Sequence, residues 1–294
     1  MNIAGVRVGV NIKLIAHKAP WEELPGSLYI NITYESQTRM KATEKHFPIP
    51  LHLTEPGWRF QREYERLFSF IVYVTQLATS TDEKAKIAVK ALYESDDPER
   101  YKKTLEKIKK YGAAKALKKL HRTIVLEMTI SSGANNFLVY ISEFLALVFK
   151  SKPETLRSSE TVRLEEVLKH STMEDLIKDL AERRVNQLSY QGMCDLTEYL
   201  SARLSFKLFP KQDDLEHAVK IIESRNIIVH NRGIINNLFI SRVHNDNYTL
   251  GEYLNLDTDQ IFDDLEFLAI AVYDIDLRSS DKFGLKCVLR DAFE

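Results

Sequence analysis

The sequence has little of what marks secreted, membrane or metal-binding proteins. Only two cysteines occur in 294 residues, and the wide separation of Cys194 and Cys287 fits neither a redox motif nor a zinc-ligand spacing. The N-terminus lacks the continuous apolar core of a signal peptide. The longest apolar run, residues 135–149, contains polar residues and is too short to cross a bilayer. These absences predict a cytoplasmic protein without a membrane span.

Recognisable catalytic and cofactor motifs are also missing. The chain has no glycine-rich phosphate loop, no Gly-x-Ser-x-Gly turn and no internal repeat. Three histidines lie in one region, His217, His230 and His244, but their spacing matches no zinc-enzyme pattern. We therefore expect neither a metal nor another cofactor.

The composition is that of a soluble globular protein. Hydrophobic residues make up 44% of the chain, charged residues 28%, and the formal net charge is -1. A length of 294 residues is sufficient for one large or two medium domains with full cores, and two domains are expected. Because the charges nearly cancel, the global balance gives no indication of a partner.

The hydrophobic pattern changes from strand-like to helical along the chain. Residues 1–130 are predicted to form an N-terminal α+β region of unknown function, with two or three short strands among "GVRVGVNIKLI" and "SLYINITYE". From Trp58 onward, apolar residues recur at spacings of three and four, which predicts a buried helix. The chain as a whole is predicted to be mainly α.

The C-terminal part is predicted to be an up-and-down helical bundle, because short connections separate long amphipathic segments. The stretch "SSGANN", residues 131–136, is interpreted as a break between helices and as the domain boundary. The helical domain then spans residues 131–278, and a weakly patterned tail spans residues 279–294. The predicted helices cover roughly 135–150, 160–189, 193–207, 212–231 and 258–277.

Basic residues are concentrated in one segment of the N-terminal region. Between Arg100 and Arg122 the chain has ten Lys or Arg residues and one acid, Glu106. Pro98 near the start of this segment predicts a long lysine-rich helix. A solvated helix face accounts for such a pattern, and so does a face that contacts phosphates. For the second interpretation the candidate substrate-binding residues are Lys109, Lys110, Lys118 and Lys119.

The stretch "IIESRNIIVHNRGIINN", residues 221–237, combines a helical apolar pattern with a dense set of polar groups. Arg225 and His230 are five residues apart, so on a helix they differ by about 140° in direction and about 7.5 Å along the axis. Gly233 follows as a typical helix-ending residue. A structural alternative is that His230 bonds the last carbonyls of the helix while Arg225 pairs with Glu223 or another acid.

"RNIIVHNRG", following an amphipathic helix, resembles the HEPN superfamily, and most closely its RiboL-PSP-type branch. "FLVYISEFLALVFKSKPETL", "EEVLKHSTMEDLIKDLAERRVNQLSYQG" and "EYLSARLSFKLF" add to the resemblance, which covers roughly residues 131–250. It implies an all-α bundle that forms a homodimer, with the arginine and histidine of both subunits in one composite cleft. Many such proteins are metal-independent endoribonucleases of toxin, phage-defence or RNA-processing systems, and other members keep the fold without cleaving anything.

The resemblance assigns catalytic roles to Arg225, Asn226 and His230, and Glu143 is the candidate for an acid from an earlier helix. Asn231 and Arg232 are the nearby candidates for substrate binding. The residue types suit RNA cleavage, since histidine transfers protons near neutral pH and arginine presents a charged fork to phosphate oxygens. We expect an RNA substrate and, in a toxin or defence context, an antitoxin or other partner protein. The alternatives are a non-catalytic module that binds RNA, a nucleotide or a protein, and an unrelated helical protein.

Overall fold

The computed structural model describes residues 27–32, 45–50, 52–94, 96–156, 163–244 and 247–290. Within them the protein is mainly helical, as predicted. The helices are α1 (Glu55–Tyr93), α2 (Pro98–Tyr111), α3 (Ala113–Lys119), α4 (Arg122–Ser151), α5 (Leu164–Val167), α6 (Met173–Gln191), α7 (Met193–Leu204), α8 (Gln212–Asn231), α9 (Asn237–Val243) and α10 (Thr258–Phe283). A 3-10 turn at Pro153–Leu156 follows α4.

The described strands form two small antiparallel pairs. Strand β1 (Ser27–Ile32) pairs with β2 (Lys45–Pro50), and the two-residue strand β3 (His52–Leu53) pairs with β4 (Val288–Leu289). The strand predicted in "SLYINITYE" is thereby confirmed at residues 27–32. The predicted strand in "GVRVGVNIKLI" lies outside the described residues. The segment from residue 279, predicted as a tail, continues α10 to Phe283 and then returns to pair with β3.

Helix α4 is the centre of the molecule, because it packs against α1, α6, α8 and α10. Its buried face includes Phe137, Tyr140 and Phe144. The same hydrophobic core contains Phe60 and Tyr64 of α1. The first half of α1 therefore belongs, together with α4, α6, α7, α8 and α10, to one packed unit, called the bundle below.

The predicted break at residues 131–136 is wrong, since α4 runs through these residues without interruption. Gly133 is required there for close packing rather than for a turn. A Cβ at Gly133 would lie 2.1 Å from Leu265 Cδ2 on α10. The domain boundary predicted at residue 131 consequently falls inside a continuous helix.

The long lysine-rich helix predicted after Pro98 is two helices, α2 and α3, which meet at Gly112. The Asp82 carboxylate on α1 accepts hydrogen bonds from the backbone N–H groups of Ala113 and Ala114, at 2.6 and 3.0 Å. A Cβ at Gly112 would lie 2.5 Å from Asp82 Oδ2. Glycine therefore allows α1 to cap the start of α3.

The predicted helix over residues 160–189 is also divided. Helix α5 ends at Val167, and α6 begins only at Met173, after the cap residue Thr172. Thr172 Oγ1 accepts a hydrogen bond from the Asp175 N–H group at 3.1 Å, which is the usual way a threonine starts a helix.

A buried carboxylate joins the start of α1 to the bundle. Asp276 of α10 accepts hydrogen bonds from the Thr54 backbone N–H group and the Thr54 hydroxyl, both at 2.6 Å. The Tyr140 hydroxyl donates to the same carboxylate at 3.3 Å. Burial raises the pKa of Asp276, while these three hydrogen bonds act in the opposite direction.

Among the described residues, one helical stretch, Pro98–Ser151, which comprises α2 to α4, contains a window apolar enough to cross a membrane by length and composition. Half of that window is buried inside the structure. The core helix of a soluble protein has the same properties, and α4 supplies much of the bundle's core.

Candidate functional site

Helix α8 carries the candidate residues and ends where the sequence predicts. Its buried residues include Ala218, Ile221, Ile222 and Ile227, which face the interior. Arg232, the C-cap residue, has the left-handed conformation with φ 56°. Gly233 after it also has a positive φ, 75°. The Gly233 N–H group donates to the Ile227 carbonyl at 2.9 Å. The left-handed ending thus begins one residue before the predicted glycine.

Arg225 is held by two carboxamides. Its Nε donates to Asn135 Oδ1 of α4 at 2.7 Å, and its Nη1 donates to Asn226 Oδ1 at 3.0 Å. Among the described residues, no carboxylate oxygen lies within the 4.0 Å ion-pair distance of this guanidinium. The structural alternative in which Arg225 pairs with Glu223 is therefore not what the structure contains. The two carboxamides hold the guanidinium in place, and no carboxylate of the described residues offsets its positive charge.

Asn226 is oriented in turn by the buried acid Glu223, which pairs with the half-buried Arg242. Its Nδ2 donates to Glu223 Oε2 at 3.3 Å, and the other oxygen of Glu223 accepts from Arg242 of α9 at 2.7 Å. Glu223 is only 4% exposed. Arg242 therefore neutralises the buried acid, and the asparagine oxygen is left to face Arg225.

His230 lies on the last turn of α8 and is exposed. No hydrogen bond or ion pair joins it to another side chain in the described part of the chain. The i to i+5 geometry separates it from Arg225 by about 140° around the helix. A single copy of α8 therefore presents the two groups in different directions, as the sequence predicts.

Glu143 is not brought to this site. Its Oε1 pairs with Arg59 of α1 at 2.9 Å, and its buried Oε2 has no hydrogen-bond partner among the described residues. Glu143 and Asn135 are eight residues apart on α4, about 12 Å along the axis. The structure thus gives the predicted acid a contact with α1 instead of a contact with Arg225 or His230.

Sequence reasoning missed a polar stripe on α4 that faces α8. Glu127, Ser131 and Asn135 are spaced by four residues, so they lie on one side of the helix. Asn135 contacts Arg225, and Glu127 Oε1 lies 3.4 Å from the position of a Cβ on Gly233. The two contacts show that α4 and α8 run antiparallel here. The signal available in the sequence was the four-residue spacing of these three polar residues.

Ser131 lies between these two contact points. Its Oγ is buried and has no hydrogen-bond partner among the described residues. In the antiparallel alignment Ser131 stands at the level of Val229, next to His230. The stripe therefore places a carboxylate and a hydroxyl along the same part of α8 as the candidate histidine.

The remaining candidates are distributed over two places. Asn231 donates through Nδ2 to the Ile234 carbonyl at 2.6 Å, so it holds the turn after α8. Arg232 is exposed beside it. The candidate lysines Lys109, Lys110, Lys118 and Lys119 are all exposed, on α2 and α3.

Other histidines have structural contacts. His217 Nε2 lies 2.6 Å from Asp264 Oδ1, and its ring stacks on Phe267 with 4.2 Å between centroids. His170 pairs with Asp179 at 3.3 Å. In the part of the chain that the structure covers, no three His, Cys, Asp or Glu side chains are grouped to hold a metal.

Compared with known proteins, the chain has no significant match to a family model, to a curated protein or to a solved structure.

Proposed function

We propose that this protein is a metal-independent endoribonuclease that uses Arg225 and His230. In this reaction a histidine takes the proton from a ribose 2′-OH, and the 2′ oxygen attacks the neighbouring phosphorus. The bond from phosphorus to the 5′ oxygen then breaks, and that oxygen receives a proton from a second acid. The products are a 2′,3′-cyclic phosphate and a free 5′-OH.

The observation that carries the proposal is the setting of Arg225. The charge of a guanidinium that pairs with a carboxylate is already offset by that carboxylate. Arg225 is held instead by the neutral side chains of Asn135 and Asn226, so its positive charge is not offset. A fixed, unneutralised fork suits the phosphorane, whose negative charge grows in the transition state. The ion pair between the buried Glu223 and Arg242 supports this geometry because it orients Asn226.

The second proton-transfer group comes, in this proposal, from a second copy of His230 in a homodimer. Exposed apolar side chains surround the candidate site on the same faces of α4 and α8: Val139 is 56% exposed, Met128 62% and Val229 49%. Val139 follows Asn135 by one turn, and Val229 follows Arg225 by one turn. Such an apolar rim favours association of two copies around the polar centre.

Glu127 replaces Glu143 in the proposal as the acid of the site. Its carboxylate lies beside the turn that follows His230, while Glu143 is engaged with Arg59. A carboxylate in this position can orient an imidazole in the assembled dimer. The biological setting that we propose follows the resemblance: a cytoplasmic toxin or phage-defence protein whose activity is controlled by an antitoxin or another partner.

A second candidate function is an HEPN module that binds RNA, a nucleotide or a protein partner without cleaving it. It is favoured by the exposed position of His230, which no side chain orients in the described part of the chain. In this case Arg225 binds a phosphate and His230 contributes only contact surface.

The test is incubation of the purified protein with mixed RNAs in EDTA, followed by analysis of the new ends. We expect 2′,3′-cyclic phosphates from the wild type and at least about a hundredfold loss in Arg225→Ala and His230→Ala. Arg163→Ala is the matched control, because this exposed arginine stands at the N-cap position of α5, its side chain makes no cap hydrogen bond, and it is not part of the candidate site. Equal cleavage by all variants, or binding without cyclic ends, would rule out the nuclease.

Mixed dimers test the shared cleft. Subunits carrying His230→Ala are co-expressed with wild-type subunits under two different affinity tags, and the doubly tagged species is purified. If both histidines serve one cleft, this species retains far less than half of the wild-type activity. Activity of half or more would mean that each subunit works alone.

A further inference from the structure

The strongest charge segregation in the molecule lies outside the candidate site, on α2 and α3. Eight lysines of these two helices, called the basic corner, are all exposed: Lys102, Lys103, Lys107, Lys109, Lys110, Lys115, Lys118 and Lys119. In the described part of the chain, none of their Nζ atoms lies within 4.0 Å of a carboxylate oxygen. The basic corner is therefore a surface of unneutralised cations.

Helix stability alone does not account for this arrangement. Lysines in a last turn favour the helix dipole, which explains Lys109, Lys110, Lys118 and Lys119. Lys115 has the opposite position, in the first turn of α3, and it stands one turn from Lys119. Like charges at this spacing destabilise a helix by about 0.2–0.5 kcal/mol per pair, and Lys103 and Lys107 of α2 form another such pair.

Helices α2 and α3 are held in place by their packing on α1. Both α2 and α3 pack on α1 through half-buried side chains such as Leu105, Ile108 and Leu117. The Asp82 carboxylate caps α3 and thereby fixes the turn at Gly112. The lysines, which alternate with the half-buried positions, consequently face outward from a common support.

An aromatic ring lies within this surface. Tyr111, at the end of α2, is 70% exposed, and the Lys110 ammonium lies over its ring at 5.1 Å from the centroid. An exposed ring next to a cation can stack a base while the cation meets the adjoining phosphate. A row of unneutralised lysines fits a polymer that carries one negative charge per repeat.

We propose that the basic corner binds the backbone of single-stranded RNA, with Tyr111 stacking on an unpaired base. The choice of RNA among polyanions rests on the proposed function. The exposed Tyr111 ring favours single-stranded RNA as the substrate class for that activity, because an unpaired base can stack on it. The corner contains no part of the Arg225 and His230 site, so it acts as a separate holding surface for the RNA.

The test uses the full chain and a fluorescent uridine 20-mer in which every ribose is 2′-O-methylated. This RNA has no free 2′-OH and cannot be cleaved by the proposed reaction, so binding is scored whether or not the protein is a nuclease. The corner variant carries Lys103→Gln, Lys107→Gln, Lys115→Gln and Lys119→Gln, because glutamine has nearly the same helix propensity as lysine. The matched control carries Lys150→Gln, Lys169→Gln, Lys178→Gln and Lys211→Gln, which removes equal charge from other exposed positions.

We expect the corner variant to bind about tenfold more weakly or worse at moderate salt, with a shallower dependence of log Kd on log salt. The control variant should stay within about twofold of wild type. Far-UV circular dichroism of both variants verifies that the helices persist. Equal weakening in both variants, or none in the corner variant, overturns the proposal.

Two further experiments identify the ligand. Tyr111→Leu should weaken binding about fivefold or more, whereas Tyr111→Phe should leave it nearly unchanged because the ring remains. Vesicles containing phosphatidylserine test an anionic membrane surface, which the exposed Leu120 beside α3 would also suit. Corner-dependent vesicle binding without RNA binding overturns the proposal, while RNA binding without any cleavage leaves it standing and removes only the nuclease.

Discussion

In the bundle, several arginines lie against carboxylates, whereas in the basic corner eight lysines face solvent without one. Arg59 pairs with Glu143, Arg183 with Asp179 and Arg278 with Asp274. Arg225 differs from these three arginines, because two carboxamides hold it. The comparison separates charges that the fold neutralises from charges that no carboxylate of the described residues neutralises.

The two regions also differ in how they are stabilised. Helix α4 buries a continuous row of aromatic and aliphatic side chains, whereas the structure buries no side chain of α2 or α3. The corner is fixed by hydrogen bonds to Asp82 and by half-buried contacts with α1. We therefore expect substitutions in the two regions to have very different effects on unfolding.

The largest expected effect comes from the centre of the bundle. Phe144 is fully buried and contacts Tyr140 and Phe206. Phe144→Ala should lower the free energy of unfolding by about 3–5 kcal/mol, measured by urea denaturation. Leu120→Ala, at an exposed position beside the corner, is the control and should change it by less than about 0.5 kcal/mol. Similar losses in both variants would contradict the difference in stabilisation between the bundle and the basic corner.

The buried carboxylate of the bundle gives a pH prediction. Because burial raises the folded-state pKa of Asp276, its contribution to stability is greatest below the unfolded pKa and is lost as pH rises through the folded pKa. The stability difference between wild type and Asp276→Asn should therefore decrease over this window, by about 1.4 kcal/mol per unit of pKa shift. Urea denaturation at a series of acidic pH values measures it. A difference that grows with pH would show that the hydrogen bonds from Thr54 and Tyr140 outweigh burial.

A smaller and local effect is expected where the corner meets α1. Asp82→Ala removes the acceptor for the Ala113 and Ala114 N–H groups. Loss of such a cap costs about 0.5–2 kcal/mol. Amide hydrogen exchange should become faster in α3 and remain unchanged in α4 and α10. Faster exchange throughout the bundle would mean that the corner and the bundle unfold as one unit.

The smallest expected effect is a gain in stability. Lys115→Gln removes an unfavourable charge in the first turn of α3 and its repulsion with Lys119. We expect α3 to be stabilised by about 0.2–0.5 kcal/mol at low salt, measured as slower amide exchange, and the gain to disappear at high salt. A destabilised α3 would mean that the lysine has a partner within the protein.

The sequence predicts local features well where the chain itself determines them. Helix α8 has the predicted bounds, α7 begins at the predicted Met193, and the left-handed end after Asn231 is correct to within one residue. The errors occur where a distant residue decides the local structure. Gly133 remains helical because Leu265 packs on it, and Gly112 ends α2 where Asp82 approaches.

The residues of the candidate site also differ in whether the local sequence predicts them. Arg225, Asn226 and His230 are recognisable because they lie within one short stretch of α8. Their supports, Asn135 and Arg242, come from other helices, and no pattern near Arg225 indicates them. Glu143 was chosen by position on its helix, and the structure places it against Arg59.

The most direct test of the central claim uses DNA oligonucleotides that contain one ribonucleotide, incubated with the protein in EDTA. If Arg225 and His230 cleave by attack of a 2′ oxygen, the strand breaks only after the ribonucleotide and leaves a 2′,3′-cyclic phosphate there. A 2′-O-methyl group at that position, or His230→Ala in the protein, abolishes the break. Cleavage of the 2′-O-methyl strand or of DNA alone, or equal cleavage by His230→Ala, would contradict the account.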